Sequence, residues 1–240
     1  MITFSKISAS YDGKNQAVSG VSFCVDKPAI VGIIGPNGAG KSTFIKAALQ
    51  LIPSEGHVTS NGMALNKFQK KIAYVEQKTA VDYTFPITVK EVVSLGLYPQ
   101  LSLFQRITAK DWQKVAAALE SVQMADFAKR QIGELSGGQF QRVLIARTLL
   151  QEAEFIFLDE PFVGIDAMSE AIIVGLLREF RQQGKTIFIV HHDLGKVTEY
   201  FDELVMMNQH LIAYGPTTTV FTETNLKETF GDTIIVKEGA

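Results

Sequence analysis

The chain has 240 residues, of which 46% are hydrophobic and 20% charged, and its formal net charge is -2. That length holds one sizeable core, or one core with a satellite subdomain. The charge argues against a nucleic-acid binder working through bulk electrostatics, leaving only a local basic patch open, and the single cysteine, Cys24, excludes an intramolecular disulfide.

Met1-Ile2-Thr3-Phe4-Ser5-Lys6 lacks the charged-then-apolar layout of a secretion signal. No apolar run approaches the roughly 20 residues that span a bilayer. The chain is therefore expected to be cytoplasmic and soluble, with any membrane connection made through a partner.

The first quarter reads as β-rich. Residues 2–9 and 20–25 are short strand-like runs, with Asp12-Gly13-Lys14 as turn material between them. Cys24 sits in the alternating stretch Val21-Ser22-Phe23-Cys24-Val25, where a buried strand thiol is expected and not a reactive one. Ala29-Ile30-Val31-Gly32-Ile33-Ile34 is continuously apolar, the mark of a strand covered on both faces. It runs into a glycine-rich loop, and residues 41–51 then have helical spacing. His57–Ser60 and Met63–Leu65, joined by Asn61-Gly62, predict a hairpin. Ile72-Ala73-Tyr74-Val75 is a strand that delivers Gln77 at its end.

From about residue 86 to 150 the pattern turns helical. Thr108 is a candidate cap for a helix whose Trp112, Val115, Ala116, Leu119 and Val122 share one face. A second helix spans Gly137–Gln151. Phe155–Leu158, a helix near 168–183 and Ile187–Val190 return to parallel-sheet character, and Glu203–Met207 with Leu211–Tyr214 predict a late hairpin at the sheet edge. The expected fold is α/β, interrupted by a helical insertion of roughly 60 residues, too large for an ordinary loop.

Gly35-Pro36-Asn37-Gly38-Ala39-Gly40-Lys41-Ser42-Thr43 fits G-x-x-x-x-G-K-[ST], and it stands between a strand and a helix as a phosphate loop must. Backbone N–H groups of Gly38 to Thr43 can wrap phosphate at a helix N-terminus. Lys41 adds a charge for the β- and γ-phosphates, and the Ser42 hydroxyl is placed to ligate Mg²⁺. Asp159 ends a buried run, where a carboxylate needs a polar partner such as water-bridged Mg²⁺. Glu160 beside it is a candidate general base for the attacking water. Leu135-Ser136-Gly137-Gly138-Gln139 opens a second helix N-terminus with two glycines and a hydroxyl, hence a second phosphate site.

These motifs, with Gln77 between the first two and His191-His192-Asp193 after the acids, resemble the ATPase subunit of an ABC transporter over nearly the whole chain. The resemblance implies a P-loop ABC-type ATPase core, about 1–85 and 152–240, with an N-terminal antiparallel β subdomain. It also implies a helical subdomain, about 86–151, carrying the signature at Ser136, Gly137, Gly138 and Gln139. By the same resemblance Tyr11 stacks on adenine, Gln77 reaches Mg²⁺ and the attacking water, and His192 contacts the γ-phosphate. His191 occupies a place where many relatives have Ser or Thr. Phe162-Val163-Gly164-Ile165-Asp166 stands in the loop by which subunits sense each other, keeping the acid but not the preceding residues.

In this family the signature of one subunit closes over ATP held by the other's phosphate loop. One copy of each motif therefore implies a head-to-tail homodimer, or pairing with a similar chain. The further partners implied are an integral membrane permease and, indirectly, an extracellular metal-binding protein, at the cytoplasmic face of the membrane and without nucleic acid. Residues 81–98 and the two loops just described resemble the manganese, zinc and iron importer branch, manganese first. Importers of haem, siderophores or cobalamin stay open, as does a soluble non-transport ABC ATPase. His57, His191, His192 and His210 form no cluster at ligand spacing, so metal selectivity is expected in the partners. Leu95, Leu97, Tyr98, Leu101, Leu103 and Phe104, around Pro99, either line a groove for a permease helix or pack singly into the core of the insertion.

Overall fold

The computed structural model describes residues 1–11, 15–77, 85–102 and 105–231. The Asp12-Gly13-Lys14 turn, residues 81–84 of the importer-like stretch, and Leu103 and Phe104 of the expected groove lie outside the described residues. Two compact units are present: Met1–Gln69 with Thr186–Ala240, and Lys70–Lys185.

The first unit opens with β1 (Ile2–Ser10) and β2 (Gln16–Val25), antiparallel neighbours with Ile2 opposite Val25. Strand β2 begins four residues earlier than expected, because Gln16 still pairs with Ser10 although its side chain is exposed. Cys24 is a correction. It is only half-buried, with Sγ 3.2 Å from Thr3 Oγ1 and donating to Asp26 Oδ1 at 3.3 Å. The alternation places Val21, Phe23 and Val25 inward, so Cys24 falls on the other face.

Strand β3 (Ile30–Ile34) is buried at every residue, as its continuous apolar run requires. It leads through the phosphate loop into α1 (Lys41–Ala48). That helix stops three residues before the sequence suggests, at a chain reversal where Gln50 has φ 58°. Strands β4 (Glu55–Ser60) and β5 (Met63–Ala64) form the Asn61-Gly62 hairpin, both turn residues having positive φ. The antiparallel sheet runs β2-β1-β4-β5.

The second unit begins with β6 (Ile72–Val75), followed by α2 (Val89–Ser94), a 3₁₀ segment Leu95–Gln100, and α3 (Ala109–Ser121). Thr108 caps α3 in a reciprocal box with Asp111. The buried stripe of α3 is Val115, Ala118 and Leu119, continued by Val122. Trp112 and Ala116, expected on it, are exposed, and the Lys90 ammonium sits 5.6 Å from the Trp112 ring. Helix α4 (Gly137–Leu150), strand β7 (Phe155–Asp159) and helix α5 (Ala167–Gln182) complete this unit. Strands β6 and β7 run parallel, Val75 opposite Leu158.

The chain then returns to the first unit. Strand β8 (Thr186–Val190), helix α6 (Val197–Tyr200), the antiparallel pair β9 (Glu203–Asn208) and β10 (His210–Pro216), and helices α7 (Thr217–Val220) and α8 (Glu223–Phe230) follow. Within this unit the order is β10-β9-β3-β8, with β3 parallel to both neighbours. The β9–β10 hairpin lies at the edge, as expected. Among the described residues no helix is long and apolar enough to cross a membrane.

Candidate functional site

The phosphate loop leaves the C-terminal end of β3 and is held by close backbone approaches. A Cβ on Gly35 would lie 2.1 Å from Met207 O, and one on Gly40 would lie 2.2 Å from Ala17 O. At both positions hydrogen is the only substituent that fits. Gly38 differs: its φ of 80° favours glycine, yet no atom lies within 4 Å of its missing Cβ, so the loop is open on that side. The loop is also strapped to the β9–β10 turn, where Gln209 donates its N–H to Ala39 O at 2.9 Å and accepts from Ser19 N–H at 2.7 Å. Sequence reasoning missed Gln209; its φ of 60° belongs to the turn and nothing in the residue type marks it.

Lys41 is 7% exposed, and its ammonium donates to Gly35 O and Pro36 O, each at 2.9 Å. Ser42 is half-buried on the first turn of α1. Tyr11 follows β1 and is exposed, its hydroxyl 3.1 Å from Thr43 Oγ1. The structure thus brings Tyr11 to the phosphate loop. His192 belongs to this unit too. It is exposed just after β8, whereas His191 is buried with its ring edge-on to Phe201 at 5.4 Å. The exposed ring is the one available to a ligand.

In the second unit the acidic pair terminates β7. Asp159 is 3% exposed, and Glu160 is half-buried with φ 52°, a left-handed conformation that non-glycine residues adopt at some cost. The β6–β7 register, Val75 opposite Leu158, carries the chain two residues on to Gln77 beside Glu160. Gln77 Nε2 donates to Glu160 Oε2 at 2.7 Å.

Ser136 caps α4. Its hydroxyl accepts from Gln139 N–H at 3.2 Å, and Gln139 Oε1 accepts from Ser136 N–H at 2.9 Å. Gly137 is exposed and Gly138 buried. Asp166 caps α5 through Ser169. Backbone donation from Ser169 first, and its hydroxyl second, hold the Asp166 carboxyl below the usual carboxylate range. Of the two roles open to Leu97, core packing is the one observed: it is 2% exposed. Leu95 and Tyr98 are exposed, at 43% and 58%. Pro99 is accommodated in a 3₁₀ segment, not an α-helix.

A family model described as ABC transporter matches residues 18–163. The chain is 52% identical over 217 residues, 90% of each chain, to the manganese transport system ATP-binding protein MntB of Listeria innocua. It is 46% identical over 230 residues to the MntB protein of Halalkalibacterium halodurans, covering 96% of this chain and 92% of that one. It is also 44% identical over 211 residues to the zinc transport system ATP-binding protein TroB of Treponema pallidum, covering 88% and 79%. Among solved structures, a nucleotide-free ATP-binding cassette from an ABC transporter matches with a TM-score of 0.80 and 27% identity, over 100% of this chain and 99% of that one. The fold is therefore the α/β fold of an ATP-binding cassette, and the chain belongs to the ABC transporter family as an ATP-binding, ATP-hydrolysing subunit.

Proposed function

We propose that this ATPase energises a membrane permease that imports a divalent transition metal, manganese, with the metal as cargo and never as a ligand of this chain. The observation that carries the reading is the likeness, over nine tenths of both chains, to a manganese transport ATP-binding protein. The zinc transport relative supports zinc as the second reading.

ATP is held by the phosphate loop, with the open side at Gly38 receiving phosphate and Lys41 exchanging its carbonyl partners for phosphate oxygens. Tyr11 stacks on the base. Ser42 and Asp159 supply a hydroxyl and a carboxylate, hard oxygen donors that suit a magnesium ion retaining several waters. When bound, that ion neutralises charge on the β- and γ-phosphates. Glu160 accepts a proton from the attacking water, Gln77 orients both, and His192 contacts the γ-phosphate. A general base at this place contributes on the order of 10²–10⁴ in rate.

The signature, Ser136 to Gln139, completes the phosphate shell of a second copy in a head-to-tail pair. A separated chain would lack half of its phosphate contacts and hydrolyse slowly. Residues 86–151 form the helical insertion that meets the permease at the cytoplasmic face of the membrane, with Leu95 and Tyr98 as its exposed apolar contacts.

The test is cellular metal content in a strain lacking the chain, complemented with wild type or Glu160→Gln. A selective fall in manganese, restored only by wild type, is expected. A fall confined to zinc changes the cargo, and unchanged metals remove the metal reading.

A further inference from the structure

A buried hydroxyl that takes no part in the chemistry above joins the signature to the Phe162–Asp166 loop. Gly138 lies in the opening turn of α4, and a Cβ there would stand 2.6 Å from both Asp166 Oδ2 and Ser169 Oγ. The polar pair therefore rests directly on the backbone of the signature. Ser169 is 1% exposed; its N–H donates to Asp166 Oδ1 at 2.9 Å and its hydroxyl to Oδ2 at 2.8 Å.

The cap of α5 needs only the first of these bonds, since one carboxylate oxygen satisfies the orphan N–H. The second bond does something else. With both oxygens engaged the carboxylate cannot rotate, and the oxygen fixed by the hydroxyl is the one against Gly138. The charge stays beside the N-terminus of α4, where it favours the helix dipole, but is kept from swinging across the helix end as an internal anion competing with phosphate.

We propose that Ser169 is a positioning residue for the signature phosphate site. Its hydroxyl locks Asp166 against Gly138, so that the Asp166 loop and the first turn of α4 meet the partner copy's nucleotide as one rigid piece. This rests on the head-to-tail reading above.

The position implies action in trans, which a merely structural role does not. In the full-length chain Ser169→Ala is expected to lower kcat for ATP about tenfold, the scale of a small misplacement. Binding of a fluorescent ATP analogue should stay within about twofold, since the variant's own phosphate loop is intact. Mixing Ser169→Ala with Glu160→Gln creates pairs in which the unaltered Glu160 site meets an unaltered signature. Activity several-fold above the sum of the two separate variants is expected. Gly137→Asp, which places a carboxylate in the signature itself, is the control for the same mixing. If Gly137→Asp is rescued and Ser169→Ala is not, Ser169 serves its own site or only the fold, and the assignment is overturned; wild-type kcat in Ser169→Ala also overturns it. If neither is rescued, the head-to-tail arrangement itself fails, and the assignment with it.

Discussion

Gln77 Nε2 donates a 2.7 Å hydrogen bond to Glu160 Oε2, across two parallel strands whose ends they extend. The amide thus holds the carboxylate in one orientation. Glu160 itself sits at φ 52°, so its backbone is held away from the common conformations as well. For Glu160→Gln we expect unchanged ATP binding and a turnover lower by about 10²–10⁴, measured by phosphate release at saturating MgATP. Gln77→Ala should lose less, because the carboxylate remains and only its aim is relaxed. Equal losses in the two variants would place the proton transfer elsewhere.

Two glycines of the phosphate loop should respond differently to alanine. At Gly35 the methyl would meet Met207 O at 2.1 Å, so backbone must move, and a destabilisation of about 2 kcal/mol or more is expected. At Gly38 there is room and only the left-handed conformation resists, at about 1–2 kcal/mol. Thermal melts of Gly35→Ala and Gly38→Ala check this ordering. Nucleotide binding should fall in Gly38→Ala too, because its methyl points into the open side of the loop.

Tyr11→Phe keeps the ring but loses the contact with Thr43 Oγ1. Its ATP affinity should stay near wild type, while Tyr11→Ala should bind more weakly by about 1–3 kcal/mol, the scale of stacking on a base. Titration of a fluorescent nucleotide separates the two. Similar losses in both would assign the hydroxyl, not the ring, to binding.

The Asp166 cap has a pH signature. Its carboxyl is held below the ordinary value by Ser169, so the folded state favours the charged form. That stability is complete above the unfolded-state pKa and is lost as pH falls through the lowered folded value. Asp166→Asn should therefore narrow its stability gap to wild type as the pH drops through the acid range. Melting temperatures across that range test the sign.

Tyr98 is exposed on the insertion and Leu97 beside it is core. Tyr98→Glu should abolish metal uptake while ATP binding and the melting temperature persist, whereas Leu97→Ala should cost about 2–5 kcal/mol of stability. Loss of uptake together with unfolding in Tyr98→Glu would show packing, not coupling.

Much of the fold was legible because each element carried its own local signal. The apolar run of β3, the Asn61-Gly62 turn and the Thr108 cap need only near neighbours in sequence to be read. Pairings across long separations were not legible. The Gln77–Glu160 bond depends on a register between strands 83 residues apart, and the Gly138–Asp166 contact on how two helices approach. The buried stripe of α3 differs from its apolar pattern for a related reason: apolar residues fill more of that helix surface than its neighbours cover. Trp112 therefore stays outside while small Ala118 is packed. Cys24 stays half-buried because a strand's face, not a residue's hydrophobicity, decides burial.

The Lys41 ammonium, bonded to Gly35 O and Pro36 O at 2.9 Å, gives the loop an internal tether. A loop that folds around its own cation does not have to be ordered by its ligand. Nucleotide capture should then be a swap of partners at one ammonium, with little conformational search. The observed rate of association should rise in proportion to ATP concentration without reaching a plateau set by loop closure. Replacing Lys41 would remove that readiness as well as the charge, since the same side chain shapes the cradle before it fills it.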